Sequence, residues 1–192
     1  MTDAEELIQK QSYITDSFYP YWILYRNAFF DSVSEKLKFN CFTVFRDRQI
    51  TNSMLNSNTG VRVLKSRNIS DDGKEILDIA GYDSYMSLDL AQKLAVYKYV
   101  NNEDVYMTPN MTYKPRVMQK PKGLIVNGSV ALLFPRKDIE VTKRQLEYFS
   151  SDEYRKFYRI ARNKQTRSLN VDSCSVFFFG LLQPVDYREA TL

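Results

Sequence analysis

The stretch from 124 to 134 constrains the fold of this 192-residue chain more than any other. Leu124, Ile125 and Val126 precede Asn127-Gly128, and Val130, Ala131, Leu132, Leu133 and Phe134 follow before Pro135 ends the run. Asn-Gly between two apolar runs is a strong hairpin signal, because both residues tolerate the positive φ such a turn demands. The pattern predicts a hairpin over 124–134 and therefore an antiparallel sheet. Other segments supply strands for it. Residues 42–45 have strand-forming types, and 61–65 alternates like a half-buried strand after the Asn/Ser/Gly-rich loop 56–60. Residues 104–108 read as a further strand and 176–182 as a closing one.

Helical periodicity appears in between. Residues 4–11 read as a short polar helix. Phe18, Trp22, Tyr25, Phe29, Val33 and Leu37 recur at spacings of three or four, marking one face of a helix capped by Ser17, with Pro20 in its first turn. Such a stripe is packing surface, against the rest of the chain or another subunit. Ser87 is a candidate cap for a helix that aligns Leu90, Leu94 and Tyr97. Residues 142–149 and 151–162 read as two helices. The second turns Tyr154, Phe157, Tyr158 and Ala161 inward and Arg155, Arg159 and Arg162 outward. Strands and helices mix without a βαβ rhythm, which points to an α+β fold: a mainly antiparallel twisted sheet, flanking helices and an N-terminal helical arm over 1–40, ahead of a domain over 41–192.

Absent residue types exclude much chemistry. With no histidine there is no Ser-His-Asp or Cys-His site and no His-containing zinc site. Cys41 and Cys174 form no disulfide framework and have no histidine to act as base, so free thiols in a cytoplasmic protein are expected. No G-x-G and no Gly-Lys-Ser/Thr is present to cradle phosphate, no Pro-Pro dipeptide, and no Glu-x-Lys or Gln-x-Lys triple of the kind metal-dependent nucleases place on a strand. Asp71, Asp72, Glu75 and Asp78 lack the spacing of a loop metal site and read as a solvated acidic turn. No apolar run approaches the ~18 residues of a membrane span, and the polar N-terminus is unlike a signal peptide.

Charge is unevenly distributed. The net charge is only +4, but residues 105–137 and 155–171 each carry six Lys or Arg and no acid, while 71–104 carry a net −5. Basic islands of this kind, gathered by folding, make a positive face suited to a polyanion.

Several of the basic stretches also resemble a known pattern. Residues 60–69, Gly-Val-Arg-Val-Leu-Lys-Ser-Arg-Asn-Ile, resemble the opening strand and turn of target-recognition domains in restriction–modification systems. The likeness continues through 106–117, 121–135, 146–157 and 166–170. It is closest to the C-terminal recognition regions of type IIS adenine-specific DNA methyltransferases, and extends to type I specificity subunits, where a similar hairpin precedes a short helix, a Ser-Ser break and a second helix. The resemblance spans roughly residues 41–182 and lacks the whole catalytic domain. It implies a recognition part without catalysis, partnered by double-stranded DNA and by a methyltransferase catalytic domain or subunit. No cofactor is expected in this chain; S-adenosylmethionine belongs to the catalytic partner.

Side-chain chemistry selects the same candidates independently. Lys and Arg neutralise phosphate and fix register, whereas Arg, Asn and Gln can pair with base edges. Arg46, Arg48, Gln49, Lys65, Arg67 and Asn68 stand near strand ends. Asn110, Tyr113, Lys114, Arg116 and Lys120 lie in or beside a proline-bounded loop, and Arg162, Asn163, Lys164, Gln165 and Arg167 in the last basic loop. Tyr113 has a ring for stacking on a base, or for anchoring its loop. Two rival readings remain: a protein-interaction subunit docking through its aromatic N-terminal helix, its basic surface incidental, and a diverged nuclease.

Overall fold

The computed structural model describes residues 10–56, 58–112, 114–165 and 170–183. Strand β8 (Val130–Pro135) organises it. On one side β8 pairs antiparallel with β2 (Phe42–Arg46), on the other with β5 (Tyr106–Pro109), and β6 (Met118–Gln119) completes a four-stranded sheet in the order β2-β8-β5-β6. Its alternation divides the interior. Ala131 and Leu133 enter one core, Val130 and Leu132 the other. Burial on both faces accounts for the unbroken apolar run of this strand.

The first core is aromatic. Phe30 stacks on Phe157 at 4.9 Å, Tyr154 meets Phe149 edge-on at 4.9 Å, and Tyr19 lies parallel to Phe178. Here α2 (Ala28–Ser34) packs on α5 (Asp152–Ala161), with α4 (Lys143–Phe149) beside it. The second core is aliphatic. It fills the space between the large sheet and a three-stranded sheet, ordered β4-β3-β7, made of β3 (Val61–Leu64), β4 (Ser84–Met86) and β7 (Leu124–Val126). Among these strands only β3–β7 is a parallel pair. Two short elements, β1 (Leu37–Lys38) and β9 (Leu181–Leu182), pair antiparallel, while α1 (Gln11–Ile14) and α3 (Leu88–Ala91) are single turns. Helices flanking antiparallel-dominated sheets make this an α+β fold. Among the described residues no helix is long and apolar enough to cross a membrane.

Local signals were followed where caps were strong. Thr142 and Gln145 form a reciprocal capping box, and Ser151 accepts from the Tyr154 amide, so α4 and α5 start where expected. The inward face of α5 is Tyr154, Phe157, Tyr158 and Ala161, all buried. Arg162 departs from the expectation: it is buried rather than turned out, its Nη2 donating to the Asn170 carbonyl at 3.1 Å.

Three expectations are overturned. The 124–134 hairpin does not form. β7 and β8 belong to different sheets, because each is buried on both faces and takes its partners elsewhere, β7 from β3 and β8 from β2 and β5. Asn127-Gly128 does turn the chain, but between layers. The long helix over 17–37 is reduced to α2. Asp16 accepts the Phe18 amide and an ion pair from Arg26 at 2.8 Å, which folds residues 16–26 into turns, and Asn27 caps a fresh helix by accepting from Phe30. Phe18 and Trp22 are consequently exposed, while Tyr19, Ile23, Phe30 and Val33 are buried. Finally, 176–182 is mostly a 3-10 turn over Ser175–Phe178, ending in β9. Asp172 caps that turn through the amides of Cys174 and Ser175. The successive rings of Phe177 and Phe178 both meet Tyr19 and Phe39, while Phe179 packs on Tyr158, whereas a strand sends successive side chains to opposite faces. Most of the expected 4–11 helix lies outside the described residues.

Candidate nucleic-acid interface

Register places several loops at one end of the sheets. Arg46 lies opposite Ala131, Pro109 opposite Val130, and Leu64 opposite Val126. The C-terminal ends of β2, β3 and β5 therefore meet the β7–β8 turn along one rim. Backbone contacts lace it together. At Gly128 a Cβ would stand 2.7 Å from the Asp47 carbonyl oxygen, so only glycine allows this approach. The Ser66 amide donates to Ser129 Oγ at 3.0 Å, and Ser129 Oγ donates to Asn127 Oδ1 at 2.7 Å. Buried Asp47 folds the loop after β2 by accepting from the amides of Gln49 and Ile50.

Five cations crown this rim. Arg48, Arg67 and Lys114 are exposed, and Arg46 and Lys65 half-buried. Among the described residues Arg46, Arg48 and Arg67 form no ion pair. Tyr82 holds two of the five in place: Lys65 Nζ sits 3.9 Å and the Arg67 guanidinium 4.7 Å from its ring centre. Lys65 also donates to Ser84 Oγ at 2.9 Å. Burial pushes the Lys65 amine below its ordinary pKa, the nearby Asp83 carboxylate opposes this, and Arg67 adds to it.

The buried members of the candidate set are struts. Asn68 receives the Lys65 amide at 3.0 Å and donates to Asp83 and the Leu77 carbonyl. Asn110 accepts from the Val171 amide at 3.0 Å and donates to the Gly128 carbonyl and Asn170. Arg116, 8% exposed, ties two rim loops together: one arm donates to the Ile69 carbonyl at 3.0 Å, the other to the Lys114 carbonyl at 3.2 Å. Burial lowers its pKa, Asp71 counteracting. These three shape the rim from inside; both side-chain amides and the two terminal nitrogens of Arg116 are already used by the protein, while its buried Nε has no partner among the described residues. Gln49 is exposed but accepts the Ala95 amide.

Other candidates lie elsewhere. Lys120 is at the opposite end of the sheet, its Nζ donating to the Val100 and Pro121 carbonyls, each at 2.9 Å. It is 1% exposed and reaches no phosphate. Arg162 faces Tyr21, whose pKa burial raises to about 12 against the pull of the guanidinium. Asn163 pins the N-terminal segment by accepting from the Leu24 amide at 2.7 Å and donating to the Trp22 carbonyl. Lys164 stands 4.7 Å over the Tyr25 ring. Gln165 is exposed. Tyr113 and Arg167 lie outside the described residues.

Asp71 links the two acid-free islands. Its carboxylate lies 3.9 Å from Lys114 and 3.8 Å from Arg116, and its carbonyl accepts from Arg155 at 3.2 Å. Sequence reasoning missed Tyr82, which stands fifteen residues from Arg67 with no local signal. No protein-family model and no curated protein matches the chain.

Proposed function

We propose that this chain is a duplex-DNA recognition module, of the kind that delivers a partner methyltransferase to its target base in restriction–modification systems. The observation that carries the reading is the rim: register alone brings Arg46, Arg48, Lys65, Arg67 and Lys114 to one end of the sheets, three of them without an acidic partner among the described residues. Phosphate contacts from such cations position a duplex, and a preorganised arginine can pair with guanine in the major groove. Arg67, held over Tyr82, is the foremost reader. The scaffold beneath is rigid, with both cores closed and the loops hydrogen-bonded to one another. Catalysis and S-adenosylmethionine belong to the partner in this proposal.

Selection of bound duplexes from a random pool tests it. A recovered consensus that loses one position with Arg67→Ala supports the reading; uniform, sequence-blind retention would leave a general polyanion binder. The rival reading, a protein-docking subunit, draws on the exposure of Phe18 (60%) and Trp22 (62%). In that case no duplex is retained.

A further inference from the structure

Away from the rim, the α2–α5 face carries a groove of about 820 Å³ lined by Arg155, Lys156, Arg159 and Lys164 together with Phe29, and none of its lining residues is acidic. We propose that this groove is a second, separate site for the sugar–phosphate backbone of nucleic acid, anchoring the molecule that the rim reads; the inference rests on the nucleic-acid reading given above. Its cations are held in place from several sides. Lys156 Nζ lies 4.3 Å from the Phe29 ring centre, and Lys164 Nζ lies 4.7 Å from that of Tyr25, so both ammonium groups are steered by aromatic faces. Lys164 reaches the groove because the chain reverses sharply after α5. Asn163 and Lys164 both adopt left-handed backbone, at φ 53° and 49°, and the Lys164 amide donates to the Arg159 carbonyl at 2.8 Å. Two consecutive non-glycine residues in that region are costly, and the Asn163 contacts to Trp22 and Leu24 hold them there.

The charge pattern fits a chain of phosphates better than a single anion. Arg155 and Arg159 are one helical turn apart, a rise of about 6 Å. One strand of a duplex presents a phosphate about every 3.4 Å along its axis, so two fall within that rise. One residue, Asp71, connects the groove to the rim. Arg155 bonds the Asp71 carbonyl, and the Asp71 carboxylate faces Lys114 and Arg116, which places the two acid-free islands side by side. An anchoring site reads no bases. It adds counterion release, and so salt dependence, without specificity.

Affinity for a fixed duplex carrying the selected site, measured across salt concentrations, separates the two sites. Lys156→Gln/Arg159→Gln removes two contacts and is expected to flatten the slope of log affinity on log salt by about 1.8, so that raising salt from 50 to 200 mM costs the variant about twelve-fold less affinity than the native protein. The base preference recovered by selection should stay the same. Arg159→Gln alone, at an exposed position, should flatten the slope by about 0.9 and covers the case in which the double variant does not fold. A variant slope equal to the native one overturns the inference while leaving the rim reading standing. A changed base preference also overturns it, by moving these side chains to the reading surface. Absence of any duplex binding by the native protein overturns the functional reading itself. Competition with inorganic phosphate at millimolar concentration should leave duplex binding intact; displacement would make the groove a site for a small free anion instead.

Discussion

Lys120 carries an ammonium into the interior, and among the described residues no carboxylate meets it. Only 1% of the residue is exposed, its partners are two backbone carbonyls, and burial lowers its pKa from 10.5 to about 8. At about 1.4 kcal/mol per tenfold change in proton affinity, the charged form destabilises the folded state by about 3 kcal/mol. The direction follows from proton counting. Below pH about 8 folded and unfolded chains are both protonated here and the full penalty applies; between about 8 and 10.5 the folded chain gives up its proton first, the unfolded chain binds more protons, and stability rises with pH. Lys120→Met removes the charge but leaves the Pro121 carbonyl without a donor, costing about 1 kcal/mol, while the Val100 carbonyl keeps the Gly123 amide at 3.0 Å. The variant should therefore be about 2 kcal/mol more stable than the native protein at neutral pH and about 1 kcal/mol less stable where the native amine is neutral in both states. The buried thiol of Cys41 and the buried tyrosines, whose pKa values burial raises, work in the opposite direction, but they are common to both proteins and cancel in the difference. Urea unfolding followed by far-UV circular dichroism from pH 7 to 10.5 gives that difference directly. A difference that does not change with pH would refute the buried-ammonium argument.

Arg67→Ala should relax base preference at one position, costing about 1–3 kcal/mol of discrimination in competition binding with altered duplexes, with little change in melting temperature. Arg116→Ala should instead lower the melting temperature and weaken all sequences evenly, because its guanidinium joins the loops at Ile69 and Lys114. Asn110→Ala removes the side-chain bonds to Gly128 and Asn170 but leaves the Val171 amide its bond to the Asn110 backbone carbonyl, and is expected to lose about 1 kcal/mol in urea unfolding. Thr142→Ala removes the α4 cap and should cost about 1 kcal/mol by the same measure.

What was legible in the sequence was local. The caps at Thr142 and Ser151 act within three residues of themselves, so α4 and α5 could be placed to within a residue of their ends. The strand at 61–65 was legible for a similar reason, since period-two alternation is a property of consecutive positions. Choice of partner was not local. Asn127-Gly128 says that the chain turns, and says nothing about which strands β7 and β8 will find; that was decided by their burial on both faces, which requires neighbours distant in sequence. The aromatic stripe failed differently. Its spacing was genuine, but Asp16 and Asn27 offered the backbone side-chain bonds that compete with a continuous helix, and those bonds won.

The candidate site divides along the same line. Sequence position identified which strand ends carry cations and amides, and register then gathered most of them. Whether each side chain faces solvent depended on hydrogen-bond partners far along the chain. Arg116 finds the Ile69 carbonyl 47 residues away, and Asn110 finds the Val171 amide 61 residues away. Asparagine offers both a donor and an acceptor, so unpaired backbone groups at a sheet end readily absorb it. An arginine offers donors alone, and Arg48 and Arg67 are exposed and meet no carboxylate among the described residues. In the function proposed above, an anionic partner would supply the acceptors that these two guanidinium groups lack.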